Sequence, residues 1–260
     1  MVDRDRVKEA FVDYTSSYDV SDTRISLKID HTFKVAEIAE EIARSIDLNE
    51  DGVELVWLAG MLHDFGRFEQ IHLYGTFYDK DSTDHAQLGA DLLFKQNEID
   101  RFVDGDELVE GLSRNALLET MIRQHNKYRL PESLDEVTRK YCTILRDADK
   151  ADIFRVLVEV PFEERNGKKE WPARHKARPE VMEYVKRHSC VPRVHERSIF
   201  ETLVSHGCMA FELEFPKTIE IVKEQGKLKE LLSGDGWNDE EKAQLAFLEK
   251  EIESEWTARG

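Results

Sequence analysis

The chain has 260 residues, enough for one large domain or two modest ones, and its 54 Asp and Glu outnumber 37 Lys and Arg for a net charge of -17. That excess excludes a long contact with a nucleic-acid backbone or an anionic membrane surface, since both depend on cationic side chains displacing counterions; a small anion in a locally basic pocket stays possible. Cys142, Cys190 and Cys208 form no C-x-x-C pair, so a metal would have to rely on His and carboxylate, and with no apolar run of about 20 residues and a polar N-terminus, MVDRDRVKEAF, a soluble cytoplasmic protein is expected.

Nearly every periodic segment has helical spacing, which predicts an all-α fold. From His31 to Ile46, the residues His31, Val35, Ile38 and Ile42 share a face, with Asp30 as the expected N-cap. A helix is expected from Val53 to His63, stopped by Gly66, which puts His63 and Asp64 at its C-terminal end. YGTFYDKDSTD reads as a loop, and HAQLGADLLF resumes the helical pattern with Gly89 allowing another helix close to His85. Leu118, Ile122 and His125 align on a helix limited by Pro131. A long helix from Leu134 to about Val158 carries the stripe Val137, Tyr141, Ile144, Leu145, Ala148 and Asp152, with Pro161 ending it. The stretch from Pro161 to Pro192 reads as loop with one short helix near Val181 to Lys186. Helices return in SIFETLVSHGCMAFELEF and TIEIVKEQGKLKELL, and Glu240 to Trp256 reads as a charged surface helix. One domain over residues 1–260 is expected, its metal-binding core at about 25–160 and its C-terminal helices, about 180–258, packed on that core.

The informative set is His31, His63 with Asp64, His85, His125 and an aspartate of RDADKAD, each inward-facing or near a helix end. One inward histidine is usually a hydrogen-bonded core residue, but a whole set of buried imidazoles and carboxylates is costly without a common partner. Imidazole nitrogen and carboxylate oxygen are the ligands that Zn, Mn, Fe, Co or Mg take when thiolates are lacking. Relative to the stripe through Tyr141, Leu145 and Ala148, Asp149 lies roughly 70–80° off and Asp147 roughly 120–130° off, at about 100° per residue. Both aspartates stay candidates on this reading, with helical geometry leaning to Asp149 and leaving Asp147 as the alternative. Five further histidines, His72, His175, His188, His195 and His206, lack comparable context.

The order H, HD, H, H and D resembles the HD-domain superfamily of metal-dependent phosphohydrolases. The strings HTFKVAEIAEEIA, LAGMLHDFGRFEQ, YGTF followed by DHAQLGADLLF, RQHNKYRLP and ILRDADKADIF are similar to an uncharacterised bacterial branch of it, over about residues 25–160. The resemblance implies a primary site of His31, His63, Asp64 and Asp149, with His85 and His125 completing a second and Asp64 bridging. HDFGR and HNKY depart from the HD-GYP branch, so hydrolysis of cyclic-di-GMP is not implied.

A metal-dependent phosphohydrolase of small phosphorylated substrates is the expected activity, using one or two divalent ions, about 3.5–4 Å apart if two are present. Asp64 and Arg67 are the expected catalytic residues. Arg67, Lys127, Arg146 and Lys150 are candidates for the substrate anion, and each also reads as an ordinary solvated helix charge. The alternatives are a di-iron oxygenase, which the same ligand order also resembles, and a non-catalytic metal-binding or sensing module.

Overall fold

A computed structural model describes residues 2–159, 176–192, 197–233 and 236–259. The part of the expected Pro161–Pro192 loop that covers residues 161–175 lies outside these, as do His175 and His195. Contacts gather the chain into two compact units, Met1–Asp152 and Ile153–Gly260, the division falling inside a long helix that the sequence assigns to one domain.

In the first unit, helices α1 (Arg4–Ser16), α2 (Thr23–Ser45), α3 (Glu50–Leu62), α4 (Phe65–Tyr74), α5 (His85–Ala90, prolonged by a π turn, Asp91–Lys95), α6 (Arg114–Gln124) and, as far as Asp152, α7 (Glu136–Glu159) bear out the all-α expectation. The α2 helix starts eight residues before the expected point: the Asp22 side chain accepts the Arg24 N–H and caps it, and Ile25 extends the buried stripe, so Asp30 is exposed mid-helix rather than an N-cap. The α3 face is buried almost all round, from Val53 to Leu62, because α2 covers one side so closely that a Cβ on Gly60 would lie 2.5 Å from the Ala36 Cα. On α7, Asp135 accepts the Thr138 N–H at the start, and Tyr141, Ile144, Leu145, Ala148 and Asp152 are fully buried along one stripe.

Gly66 differs from its expected part. The chain turns at His63 and Asp64, and Gly66 lies inside the first turn of α4, where a Cβ would meet the His85 carbonyl oxygen at 2.3 Å and the Gly89 nitrogen at 2.5 Å. Gly66 and Gly89 thus let α4 and α5 touch backbone to backbone, as expected for Gly89 alone. A two-residue hairpin, β1 (Leu108–Val109) and β2 (Leu112–Ser113), precedes α6; its turn residues Glu110 and Gly111 both have positive φ, 48° and 82°, the pattern of a type I′ turn.

In the second unit, α8 (Pro179–Lys186), α9 (Ile199–Gly207), α10 (Pro216–Gln225), α11 (Lys227–Leu232) and α12 (Asp239–Arg259) follow the expected segments. Gly226, at φ 66°, breaks the expected run of residues 218–232 into α10 and α11. The tail is not a surface helix on all sides, since Leu245, Leu248, Ile252 and Trp256 are buried and the Trp256 Nε1–H donates to the Ala210 carbonyl at 3.1 Å.

Candidate metal centre

Four imidazoles and two carboxylates converge within the first unit. His31 projects from the middle of α2, and His63 and Asp64 form the turn between α3 and α4. His85 opens α5, His125 follows the last residue of α6, and Asp149 comes from α7. The four rings are between 0% and 5% exposed, so each needs a partner for both nitrogens.

One nitrogen of each ring is fixed by the protein. The Nδ1–H of His31 donates to Asp152 Oδ2 at 2.6 Å, that of His63 to the Gly60 carbonyl at 2.7 Å, that of His125 to the Ile122 carbonyl at 2.7 Å, and that of His85 to Asp79 Oδ2 at 2.8 Å. An acceptor on Nδ1 keeps the proton there and turns the Nε2 lone pair of a neutral ring outward, as in metal-ligating histidines.

Those Nε2 atoms fall into two groups, His31 and His63 with Asp149, and His85 and His125 with Asp64, the ligand atoms of each lying within 4.8 Å of one another. Asp64 faces both. Its Oδ2 lies 3.5 Å from His63 Nε2 and 3.9 Å from His31 Nε2, while its Oδ1 lies 3.4 Å from His85 Nε2 and 3.7 Å from His125 Nε2.

The donor set fits a cation and little else. His63 Nε2 is buried with no hydrogen-bond partner among the described residues, an arrangement that costs about 1–3 kcal/mol if nothing fills it. His85 and His125 present their Nε2 atoms to each other at 3.1 Å, and with both protons held on Nδ1 neither ring can donate. A positive ion between such lone pairs removes the conflict, and nitrogen and oxygen donors without thiolate suit Mn, Fe, Zn, Co or Mg.

Electrostatics separate the rings. Burial pushes His63 down to about 4 and, aided by the Arg67 charge, His85 down to about 3, so both are neutral near pH 7. Burial and then Lys28 act in the same direction on His31, but the carboxylates of Asp149 and Asp152 outweigh them and raise it above its ordinary value. For Asp64, burial opposes the charge, yet the Lys28 ammonium, 2.6 Å from Oδ2, holds the carboxyl well below the usual range. Asp149 is also held low despite burial, first by its contact with His31.

Of the two expected aspartates, Asp149 has its Oδ1 3.1 Å from His31 Nε2 and 3.8 Å from His63 Nε2, whereas Asp147 is buried outside both groups. Arg67 lies beside the centre, its Nε 3.5 Å from Asp64 Oδ1, but its Nη1 donates to Gln70, the Phe77 carbonyl and Asp79, so it clamps the loop that carries Asp79. Arg146 is 8% exposed and its Nη1 donates to the carbonyls of Gln124, His125 and Lys127, a C-terminal cap on α6 that steadies His125. Lys127 pairs with Asp84, the N-cap of α5, and Lys150 is half-buried on α7.

Three contributors are absent from the sequence-based set. Asp152, three residues after Asp149 and thus on nearly the same helix face, was available from spacing; Lys28, three residues before His31, would have been had α2 been drawn longer. Asp79 lies in an irregular segment where periodicity is silent. Asp79, Asp84 and His85 also approach one another closely enough to hold an ion, but Asp79 is engaged by His85, Arg67 and Gln70, and Asp84 by the α5 N–H groups, Asn126 and Lys127.

The family model of the HD domain matches residues 29–154, a span that contains every residue of both ligand groups. Residues 29–154 thus carry an HD domain, and HD domains are in general metal-dependent phosphohydrolases. Comparison with curated proteins and with solved structures yields no match. No helix among the described residues is long and apolar enough to cross a membrane.

Proposed function

We propose that this centre hydrolyses a phosphate ester, either a nucleotide or another small phosphomonoester or diester, with two divalent ions held by His31, His63 and Asp149 on one side and His85 and His125 on the other, Asp64 serving both. The observation that carries the reading is the disposition of Asp64, whose two oxygens each face a different pair of imidazole Nε2 atoms. Divalent ions bound there would supply a hydroxide nucleophile near neutral pH and neutralise charge on the phosphoryl oxygens. The chain's own part is to keep His63 and His85 neutral by burial, to hold the ring protons on Nδ1, and to set the carboxylates between the rings. With a net charge of -17, a small anion drawn to this local site suits the protein better than an extended polyanion.

The test is metal analysis of protein purified without chelator, then a screen of nucleotides and sugar phosphates with Mn, Co, Zn, Mg and Fe. Phosphate release that depends on added metal and disappears in Asp64→Ala supports the reading. Oxygen uptake by iron-loaded protein, with no phosphate released from any ester, would replace it with the oxidative alternative, and metal binding without turnover of either kind would leave a sensing module.

A further inference from the structure

Lys28 is the cation nearest to the ligand oxygens, and neither the motif nor the proposed hydrolysis accounts for it. It lies on α2 three residues before His31, so both side chains leave the same face of the helix. Its Nζ donates to Asp64 Oδ2 at 2.6 Å, the oxygen that faces His31 and His63. Asp64 is 3% exposed while the lysine side chain is 20% exposed, so Lys28 reaches from the protein surface down onto the carboxylate.

The neighbouring cations are held in other contacts, although the Arg67 Nε also lies 3.5 Å from Asp64 Oδ1. Arg67 Nη1 has three acceptors on the loop of residues 77–79 and on Gln70, Arg146 holds backbone carbonyls at the end of α6, and Lys127 pairs with Asp84. Lys28 has the Asp64 carboxylate as its one hydrogen-bond acceptor among the described residues, and a divalent ion would compete for that same oxygen. Two cations cannot both sit on Oδ2 without strong repulsion. The four-carbon stem of a lysine can swing its ammonium by several ångströms at small cost, and the exposed end gives it somewhere to go.

We infer that Lys28 is a placeholder and relay: its ammonium neutralises Asp64 when the first ligand group holds no ion, and when an ion takes Oδ2 it is released to the mouth of the site, where it binds an anionic phosphoryl oxygen of the substrate. The inference rests on the metal-centre reading and adds that metal and substrate anion bind cooperatively through this lysine. By linkage, the factor by which phosphate tightens metal binding equals the factor by which metal tightens phosphate binding.

The experiment is a calorimetric titration of the full apo chain with Mn²⁺, with and without inorganic phosphate, for wild type, Lys28→Met and Lys28→Arg. Removal of a competing charge within a few ångströms of the ion should tighten Mn²⁺ binding to Lys28→Met by about tenfold or more in the absence of phosphate. The several-fold tightening that phosphate brings to the wild type should be lost in Lys28→Met and kept in Lys28→Arg. Circular dichroism of the variants excludes misfolding, which a partly exposed side chain gives little cause to expect. A folded Lys28→Met that binds Mn²⁺ no more tightly than wild type, or that keeps the full phosphate effect, overturns the inference while leaving hydrolysis untouched. Conversely, absence of ester turnover in a wild type that shows the expected coupling would sink the hydrolase reading and leave Lys28 its part.

Discussion

Replacing Asp79 by Ala should loosen one half of the metal centre and spare the other. Both carboxylate oxygens of Asp79 lie within 2.9 Å of His85 Nδ1, and the group is held in its ionised form, against the effect of burial, chiefly by its hydrogen bond to His85. Without it, His85 loses the acceptor that fixes its tautomer and some of the basicity of its Nε2. Loss of such a partner behind a ligating histidine typically costs ten- to a hundredfold in metal affinity, about 1.4–2.7 kcal/mol. Arg67 would not be stranded, because its Nη1 keeps Gln70 Oε1 at 2.9 Å and the Phe77 carbonyl at 2.6 Å, so the fold should survive. The mirror substitution is Asp152→Ala, which removes the 2.6 Å partner of His31 Nδ1 in the other group. Calorimetric titration with Mn²⁺ should resolve a tight and a weak site in each variant, and competition between them in anomalous diffraction should show the weakened site changing sides. If Asp79→Ala binds two ions with wild-type affinities, the orienting argument is wrong. If both variants weaken the same site, the division into two groups is wrong.

Gly66→Ala should destabilise the fold by about 3 kcal/mol or more, because its Cβ would meet backbone at 2.3 Å and not a side chain able to yield; a thermal melt within two degrees of wild type would contradict this. Asp64→Ala should lose metal and turnover with an unchanged circular dichroism spectrum, whereas normal turnover at full metal occupancy would remove Asp64 from the centre. Arg67→Ala should resemble Asp79→Ala and weaken the ion at His85, and a rise in KM for substrate with both ions retained would restore Arg67 to direct substrate binding. His63 and His85 are already neutral near pH 7, while the carboxylates of Asp149 and Asp152 raise His31 above its ordinary value, so that a proton on its Nε2 competes with an ion. Metal affinity at the group of His31, His63 and Asp149 should therefore rise with pH until His31 has titrated, with proton release on binding; calorimetric titrations across pH in buffers of different ionisation enthalpy measure both, and an affinity there that falls or stays level as pH rises through that range would refute the assignment.

The helices and the six residues that converge were legible because both rest on local patterns: helical stripes, and histidines and aspartates at stripe positions. The turn at His63 and Asp64 was legible only as a helix end. Gly66 invited a reading as a stop, which is what glycine most often does there, while its contact with Gly89 depends on how two helices pack and leaves no trace in local spacing. The same limit explains Arg67 and Arg146. Next to a ligand, an arginine looks ready for phosphate, and only the long-range carbonyls and Asp79 show that their Nη1 groups are already used. Asp79 was invisible because its segment is a run of turn formers, and Lys28 because a polar residue at Asp30 offered a plausible but wrong helix start. An N-cap is one hydrogen bond, worth about 1 kcal/mol, and Asp22 competes for that part equally well in sequence.

The most direct test of the two-group centre is an anomalous-difference map from crystals of Mn-loaded protein. Two peaks are expected, one among His31, His63 and Asp149 and the other between His85 and His125, with Asp64 reaching both. A single peak under saturating Mn²⁺, or peaks away from these six residues, would contradict it.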